Sequence, residues 1–446
     1  MDIPIKLLDS LQGLRGFDKT AFEKTHDDGS LVTAIRMNPL KPIQGNSHLA
    51  INAEVPWTQY GYYLKERPSF TFDPLFHAGT YYVQEASSMF LETVLKQSVD
   101  LSKPLKVLDL CAAPGGKSTH LQSMLSKDSL LVSNEVIKQR VNILRDNIIK
   151  WGAGNVVVTN NDPRDFARLE GFFDVIVVDA PCSGSGLFRK EPDAISEWSE
   201  NNVMLCSQRQ QRILADVIPA LKNEGILIYS TCSYSREEDE DICQWMDEQL
   251  SLENIPLSIK EEWGIVPGGG GYRFWPDKVK GEGFFISCYK KKNGEVFRQG
   301  KTKKLTQLNK REMEIIGQWV RTEGLLFIKN NNTVYAFPEK IFQDISLLLS
   351  GLHVIYSGII IGELIRDKLV PGHALAMSTI LPESGPAVQL DLDNAINYLK
   401  RKDLVLNSGK GWQLVSFAGH NLGWVNVLPN RVNNYYPKEL RILRDS

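Results

Sequence analysis

The segment "FFDVIVVDAPCSGSG", Phe172 to Gly186, is an apolar run that ends in a carboxylate, a proline, a cysteine and two glycines. An apolar run bounded by turn residues is typical of a strand buried on both faces. Similar runs alternate with helical segments from Val107 to Lys290. Strands that alternate with helices predict right-handed β-α-β units, and therefore an α/β, doubly wound, Rossmann-like fold. Ligands of such a fold bind beyond the carboxyl ends of its parallel strands.

The composition is that of a globular protein of more than one domain. The chain has 446 residues, of which 42% are hydrophobic and 23% charged, and its formal net charge is −2. The start of the chain lacks the basic and apolar stretches of a signal peptide. The uncharged run from Ile345 to Gly362 contains serines, glycines and a histidine, so we interpret it as a buried helix end followed by strands. We therefore expect no membrane segment and a cytoplasmic protein.

The cysteines carry information because of where they lie. No two form a C-x-x-C pair, and their spacing does not match a metal site, so we expect no bound metal. Free thiols suit the reducing cytoplasm. We assign three of them, on predicted helices and a strand, to the core: Cys206, Cys243 and Cys288. The other three follow predicted strands: Cys111, Cys182 and Cys232.

The segment "LDLCAAPGGKS", Leu108 to Ser118, joins the first predicted strand to its helix. Gly115 and Gly116 allow a ligand to approach the backbone closely. A nucleotide-hydrolase phosphate loop would need a glycine at Cys111, and a dinucleotide-binding pattern is absent as well. S-adenosylmethionine remains, since it has no phosphates and needs a glycine turn with acids for its amine and ribose.

Three acids follow successive predicted strands. Glu135 ends the second strand and is placed to accept both ribose hydroxyls, Asp162 follows the third strand near the expected adenine, and Asp179 ends the fourth. A single acid in such a position is usually a helix cap or a turn residue. Three in succession favour a cofactor site.

Cys182 and Cys232 follow the fourth and fifth predicted strands. Consecutive strands are usually neighbours, which would bring the two thiols about 5 Å apart at the ligand-binding edge. Two inert buried thiols, or a disulfide, would also fit. Carbon 5 of cytosine, however, accepts a methyl group only while a thiolate is bonded to carbon 6. One cysteine for attack and one for release would serve that reaction.

The motifs "DLCAAPGGKS", "VDAPCSGSG" and "STCSYS" together resemble those of the Sun-type RNA cytosine-5 methyltransferases. The resemblance implies that Cys232 is the nucleophile, that Cys182 assists release, and that Asp179 also contacts the target cytosine. It implies a cofactor site formed by the acids Glu135, Asp162 and Asp179 with the motif Cys111, Ala112, Ala113, Pro114, Gly115, Gly116 and Lys117. Asp277 stands where the family usually has histidine.

The flanking regions resemble those of the bacterial small-subunit ribosomal RNA type within that family. The segments "TAIRMNPLK" and "LGWVNVLPNRVNNYYPKELRI" carry this likeness. It implies an RRM-like module at 1–75, the catalytic domain at 76–293, a basic linker at 294–311, an intermediate domain at 312–380 and a PUA-like RNA-binding domain at 381–446. RNA is the expected partner, with ribosomal RNA favoured over transfer RNA.

Charged and aromatic clusters allow two interpretations each. Nine basic residues lie between Lys290 and Arg311 and form either a solvated linker or a strip that contacts phosphates. Five residues of the last segment suit unpaired RNA, or partly a small barrel core: Trp424, Asn430, Arg431, Tyr435 and Tyr436. The run "REEDED", Arg236 to Asp241, is interpreted as a solvated helix start. The alternatives for the whole chain are a nucleotide hydrolase, which the paired cysteines oppose, and a non-catalytic ribosome-assembly factor.

Overall fold

The computed structural model describes residues 1–43, 49–298, 300, 302, 304–382, 387–406 and 409–444, which form four sheets. Within these ranges no helix combines the length and the apolar character needed to cross a membrane. The same ranges contain no group of three or more His, Cys, Asp or Glu side chains that could hold a metal ion.

The first sheet is antiparallel, with strand order β2-β3-β1-β4. Its fourth strand lies at Tyr81–Val83, so the sheet extends beyond the 1–75 bounds expected for the N-terminal module, and the RRM-like character of that module stays a prediction. The elements are α1 (Ile5–Ser10), α2 (Lys19–Asp27), β1 (Ala34–Met37), β2 (Ile51–Glu54), β3 (Gly61–Leu64), α3 (Pro74–Ala78) and β4 (Tyr81–Val83).

The second region contains the large central sheet. Its elements are α4 (Leu91–Ser98), β5 (Lys106–Asp109), α5 (Gly116–Met124), β6 (Leu130–Asn134), α6 (Lys138–Trp151), β7 (Val156–Thr159), β8 (Phe173–Asp179), α7 (Ala194–Glu197), α8 (Glu200–Val217), β9 (Leu221–Thr231), α9 (Glu240–Gln249), β10 (Leu252–Asn254), β11 (Val266–Gly268), β12 (Gly271–Phe274) and β13 (Phe284–Lys291). The adjacent strands β9, β8, β5, β6 and β7 are mutually parallel.

Both faces of this sheet are covered, as predicted. Along β8, Val175 and Val177 pack into one hydrophobic cluster, whereas Ile176 and Val178 pack into the cluster on the opposite face. Successive side chains of a strand point to opposite faces, so an unbroken apolar run is required where both faces are buried. The predicted α/β, Rossmann-like fold is therefore confirmed.

The third region forms a five-stranded antiparallel sheet but gives one of its strands to the central sheet. Its elements are β14 (Thr306–Gln307), α10 (Lys310–Ile316), β15 (Leu325–Asn330), β16 (Thr333–Pro338), α11 (Phe342–Gly351), β17 (Val354–Ser357), β18 (Ile359–Ile365), β19 (Lys368–Pro371) and α12 (His373–Met377). Strand β17 pairs antiparallel with β7, with Val354 opposite Thr159 and Ser357 opposite Val157. The run from Ile345 to Gly362 thus contains the end of a helix and strands, as predicted.

The fourth sheet has the order β20-β21-β22-β23. Its elements are β20 (Ala387–Leu390), α13 (Leu392–Leu399), β21 (Gly411–Phe417), β22 (His420–Leu428) and β23 (Arg431–Asn434). Trp424 and Tyr436 are buried in its packing, while Tyr435, Asn430 and Arg431 are exposed. The aromatic residues therefore divide between core and surface.

The basic segment from Lys290 to Arg311, which leads into the third region, is partly engaged within the protein. The Lys291 amine donates to the backbone carbonyls of Ile218 and Leu221, and Lys290 pairs with Glu224. Lys301 and Lys303 lie outside the described residues. The phosphate-contact interpretation does not apply to Lys291, since its charge is directed into the end of a neighbouring helix.

Candidate active site

The two predicted cysteines lie side by side at the carboxyl edge of the central sheet. Strands β8 and β9 are parallel neighbours, with Asp179 opposite Ser230. The Sγ atoms of Cys182 and Cys232 are 3.1 Å apart and both side chains are half-buried. All six cysteines are free thiols. The sheet topology therefore brings together two residues that are 50 positions apart in sequence.

Glycines allow the two cysteine loops, 180–186 and 232–235, to pack backbone against backbone. Gly186 donates its amide to the carbonyl of Cys232 at 2.9 Å. A Cβ at Gly186 would lie 2.5 Å from the Gly283 carbonyl oxygen and 2.8 Å from that of Cys232. Gly184 has φ of +74°, which side chains rarely tolerate. Gly186 is thus needed for the close approach of the two loops, and Gly184 for the turn between Cys182 and Gly186.

A half-buried ion pair lies next to the cysteines. Lys117 Nζ is 2.8 Å from Asp179 Oδ2, and the other Asp179 oxygen accepts a hydrogen bond from Ser230 Oγ at 2.8 Å. Burial alone would lower the pKa of Lys117, but the Asp179 carboxylate outweighs it and the pKa is raised. Lys117 therefore carries a fixed positive charge at this edge, which favours anions such as a thiolate.

The surroundings disfavour ionisation of two of the thiols. The pKa of Cys182 is raised by its hydrogen bond to Cys232 and by burial. Burial also raises the pKa of Cys111, and the carboxylates of Glu135 and Asp109 raise it further. A protonated Cys182 can donate its hydrogen bond to a Cys232 thiolate, so the pair is arranged to hold one negative charge.

The cofactor loop, Cys111–Lys117, leads into α5, which begins at Gly116. Gly115 has φ of +116°, and the turn that it makes directs the first amides of the helix toward the loop. The carbonyl oxygens of Ala113 and Pro114 accept hydrogen bonds from Arg140 and Asn147, at 2.7 and 2.8 Å. Helix α6 therefore fixes the cofactor loop by donating hydrogen bonds to two of the loop's carbonyl groups.

The predicted acids all follow their strands, but in different surroundings. Glu135 is buried, and its Oε1 accepts the amide of Ile137 at 2.8 Å. Asp162 caps the short helical turn after β7 by accepting the amide of Arg164 at 3.2 Å, which is the ordinary role of such a residue. Glu135 and Asp179 thus flank the cofactor loop's strand on its two neighbours, β6 and β8.

Asp109, at the end of β5, is an acid of this edge that the sequence reasoning missed. It is fully buried, and its Oδ2 accepts the Ser118 hydroxyl at 2.6 Å. Its Oδ1 has no hydrogen-bond partner among the described residues, and burial raises its pKa to about 7. A cationic ligand would supply what Asp109 lacks. This buried acceptor beside a glycine turn fits S-adenosylmethionine, which carries an ammonium and a sulfonium.

The cofactor loop is also held by the N-terminal sheet. Arg36, on β1, is 1% exposed, and its guanidinium donates to Thr119 Oγ1 at 2.6 Å and to the Gly116 carbonyl at 3.3 Å. It also donates to Gln84 Oε1 at 2.9 Å and lies over the Trp151 ring. The first turn of α5 is therefore tied to a different sheet.

The acidic run "REEDED" differs from the prediction. Glu238 and Asp239 are fully buried rather than solvated. Asp239 accepts a hydrogen bond from Thr231 Oγ1 at 2.6 Å and lies 3.2 Å from the Arg273 guanidinium. The interpretation as a solvated helix start was wrong for these two residues, because each also has a partner from a distant part of the chain, Arg273 for Asp239 and Ser183 for Glu238.

The remaining singled-out residues lie where the pattern placed them. Cys206 and Cys243 are buried on helices, and Cys288 is buried on β13. The side chain of Asp277 is 4% exposed and its Oδ2 is 3.1 Å from Lys278 Nζ. Its Oδ1 has no partner among the described residues.

Four family models match the chain in order. They are described as the N-terminal domain of 16S rRNA methyltransferase RsmF (residues 3–86), 16S rRNA methyltransferase RsmB/F (97–290), the RsmF rRNA methyltransferase first C-terminal domain (312–379) and the methyltransferase RsmF PUA domain (386–442). The RsmB/F match over residues 97–290 contains the cofactor loop and both cysteine loops.

Individual proteins give the same result. The ribosomal RNA small subunit methyltransferase F of Shewanella loihica is 30% identical over 440 residues, covering 91% of this chain and 88% of the relative. That of Psychromonas ingrahamii is 31% identical over 448 residues, covering 93% and 91%. A solved methyltransferase homolog from Pyrococcus horikoshii is 28% identical, with a TM-score of 0.51, over 65% of this chain and 100% of its own.

The resemblance found in the motifs is thus confirmed along nearly the whole length, and the chain belongs to the 16S rRNA methyltransferase RsmB/F family.

Proposed function

We propose that the protein methylates carbon 5 of a cytosine in small-subunit ribosomal RNA through a covalent adduct with Cys232. The observation that carries this proposal is the 3.1 Å separation of the Cys182 and Cys232 sulfurs at the edge where the cofactor loop lies. Methylation of an amino group or a ribose hydroxyl would need neither thiol. Two free thiols in contact suit a reaction in which one attacks and one assists release.

Cys232 is the nucleophile. Its thiolate adds to carbon 6 of the cytosine, and the electron pair displaced from the 5,6 double bond makes carbon 5 nucleophilic. The ion pair of Lys117 with Asp179 lies at the same edge and stabilises negative charge there. S-adenosylmethionine, the cofactor of this family, supplies an electrophilic methyl group when bound.

Cys182 completes the cycle. After methyl transfer, carbon 5 carries both the methyl group and its original proton. The hydrogen bond to Cys232 that raises the pKa of Cys182 is lost while Cys232 is bonded to carbon 6, so the Cys182 thiol can then release its proton to water. The resulting Cys182 thiolate takes the proton of carbon 5, the 5,6 double bond forms again, and the Cys232 sulfur leaves as a thiolate. The hydrogen bond between the two sulfurs means that the departing thiolate is received next to a thiol that can donate to it.

The RNA substrate must also be held outside the central sheet. A target base has to leave its stack to reach a half-buried thiol, at a cost of a few kcal/mol. The exposed Asn430, Arg431 and Tyr435 of the fourth sheet offer hydrogen bonds and a stacking surface to unpaired RNA. Their region matches the PUA model of a methyltransferase family. These residues are proposed to offset part of the cost of base flipping.

The test combines a deletion strain with a trapped intermediate. Bisulfite sequencing of ribosomal and transfer RNA should show one protected cytosine in small-subunit ribosomal RNA that is lost on deletion and restored by the wild-type gene. The Cys182→Ala protein should form a covalent complex with that RNA, seen as a shifted band on a denaturing gel. Restoration of a transfer RNA site alone would contradict the proposed substrate, and a methylated base without any adduct would contradict the proposed chemistry.

A further inference from the structure

Glu238 is a buried carboxylate that the reaction described above does not use. It is 0% exposed, and no cation of the described residues lies within ion-pair distance of it. It accepts hydrogen bonds from Ser183 N (2.8 Å), Ser183 Oγ (2.5 Å), Ser233 Oγ (2.6 Å) and Gln210 Nε2 (3.3 Å). A buried carboxyl group is costly unless such donors compensate it.

Its partners are the residues that directly follow the two reactive cysteines. Ser183 follows Cys182, and Ser233 follows Cys232. Glu238 Oε2 therefore bridges the two cysteine loops at the positions next to the sulfurs. Apart from the contacts between the two sulfurs and between the two serine hydroxyls, the other hydrogen bonds between these loops lie further from Cys182, at Gly186 and Ser185.

The serines extend the bridge into a network. Ser233 Oγ lies 3.3 Å from Ser183 Oγ and accepts the amide of Ser235 at 3.0 Å. The backbone of Glu238 is fixed as well, since its carbonyl accepts the Tyr229 hydroxyl at 2.6 Å. The carboxylate is thus anchored to β9 and donors converge on it from both loops. Buried hydrogen bonds of this kind restrict the geometry of the groups that they join.

We propose that Glu238 is a positioning residue that sets the separation of Cys182 and Cys232 by holding Ser183 and Ser233 to one carboxylate. The assignment of attack and release to these cysteines rests on the proposed function. The separation itself does not, and it can be measured without RNA.

The first experiment measures how readily the two thiols are joined. Diamide removes two electrons and two protons from a pair of thiols and leaves a disulfide, so its rate reports how often the sulfurs meet. The full chain would be treated with diamide, and the disulfide that joins residues 182 and 232 quantified by peptide mass spectrometry. Glu238→Ala should slow its formation about tenfold or more, and Glu238→Gln, which keeps the shape and can bond to both serines, should recover most of the wild-type rate.

The matched control is Glu237→Ala. The Glu237 side chain makes no hydrogen bond or ion pair within the part of the chain that the structure describes, and it carries the same charge next to Glu238. Its crosslinking rate should equal that of the wild type. If Glu238→Ala does not fold, the Ser183→Ala, Ser233→Ala double variant replaces it, because this variant removes both hydroxyl donors and leaves the carboxylate in place.

The second experiment follows turnover. A displacement of about 1 Å at a reacting group can cost about 100-fold in rate. Glu238→Ala should lower kcat by a factor of that order, leave the KM for S-adenosylmethionine within about twofold, and accumulate the RNA adduct on a denaturing gel, because release suffers when Cys182 is displaced. A general loss of folding would instead reduce cofactor binding and adduct formation together.

The two experiments separate the two proposals. Wild-type crosslinking rates in both Glu238→Ala and the double serine variant would overturn the positioning role, whatever the RNA chemistry. Slowed crosslinking in a protein whose Cys232→Ala variant still methylates RNA would uphold the positioning role and reject the proposed roles of the cysteines.

Discussion

The cysteine loops and the cofactor loop lie at the same edge of one parallel sheet, yet their contacts come from different parts of the chain. The cysteine loops are bridged from within the central region, by Glu238 and by the packing of Gly186 on the Cys232 carbonyl. Arg36, which belongs to the N-terminal sheet, donates hydrogen bonds to the first turn of α5, directly after the cofactor loop.

This difference separates two properties of the protein. The contacts that hold the two sulfurs together come from residues 173–283, all within the region of the central sheet. Cofactor binding depends in addition on how the N-terminal sheet docks. Variants in the cysteine loops should therefore change the chemistry and leave cofactor binding unchanged, and variants of the N-terminal sheet should do the reverse. The predictions for activity and binding run from the largest expected effect to the smallest, and a prediction for stability follows them.

Removing the proposed nucleophile should have the largest effect. Cys232→Ala is expected to lower methyl transfer at least about 1,000-fold, because no other group of the chain would make the bond to carbon 6. S-Adenosylmethionine affinity should remain within about twofold, as measured by calorimetry. Cys288→Ala, at a buried cysteine on β13, is the control. Full activity of Cys232→Ala would show that methyl transfer does not depend on this cysteine loop.

Displacing a cysteine loop should come next. Gly186→Ala places a Cβ 2.5 Å from the Gly283 carbonyl oxygen, so the backbone around Cys182 or Cys232 must move. We expect a fall in kcat of about 100-fold with unchanged cofactor affinity. Gly351→Ala is the matched control, because the nearest neighbour of its Cβ would be 3.9 Å away. Equal activities of the two variants would show that the close packing at Gly186 does not matter.

Removing the hydrogen bonds between Arg36 and the first turn of α5 should weaken cofactor binding. Arg36→Gln removes the guanidinium bonds to Gly116 and Thr119, and should weaken S-adenosylmethionine binding about tenfold while the diamide crosslinking rate stays at the wild-type value. Arg67→Gln, at an exposed position of the same region, serves as the control. A slowed crosslink in the Arg36 variant would mean that the two loops are not held independently.

The last prediction concerns the pH dependence of stability, which is measured without cofactor or RNA. Burial raises the pKa of Asp109 to about 7, whereas an unfolded aspartate titrates near 4. The folded state then holds the extra proton, so stability falls as pH rises from about 4 to 7. Asp109→Asn should lose this contribution, on the order of 1 kcal/mol per pH unit, in denaturant unfolding of the cofactor-free protein at pH 5, 6 and 7.5. Parallel pH profiles of the two proteins would contradict the raised pKa.

Local patterns predicted the parts of the fold in which local chemistry determines structure. The amphipathic segment "KQRVNILRDNIIKW" is helix α6 from its first to its last residue. The apolar runs are the five parallel strands, and the rule that consecutive strands are neighbours correctly placed Cys182 beside Cys232. These inferences need only periodicity and short-range topology.

The parts that were missed depend on contacts between distant residues. Glu238 and Asp239 looked solvated because a run of acids usually is, and their donors at Ser183, Gln210 and Arg273 cannot be recognised from the run itself. Asp109 ends β5 just as Asp179 ends β8, and Glu135 directly follows β6. The same strand-end criterion, applied to β5, would have found it.

The edge strand β17 has a consequence for how the protein is made. Strand β7 is synthesised almost two hundred residues before β17 covers its open side. During translation the nascent sheet therefore presents unpaired backbone amides and carbonyls, which are a template for intermolecular strand addition. A polypeptide released before residue 357 would keep that exposed template, so quality control in the cell should treat such fragments as aggregation hazards.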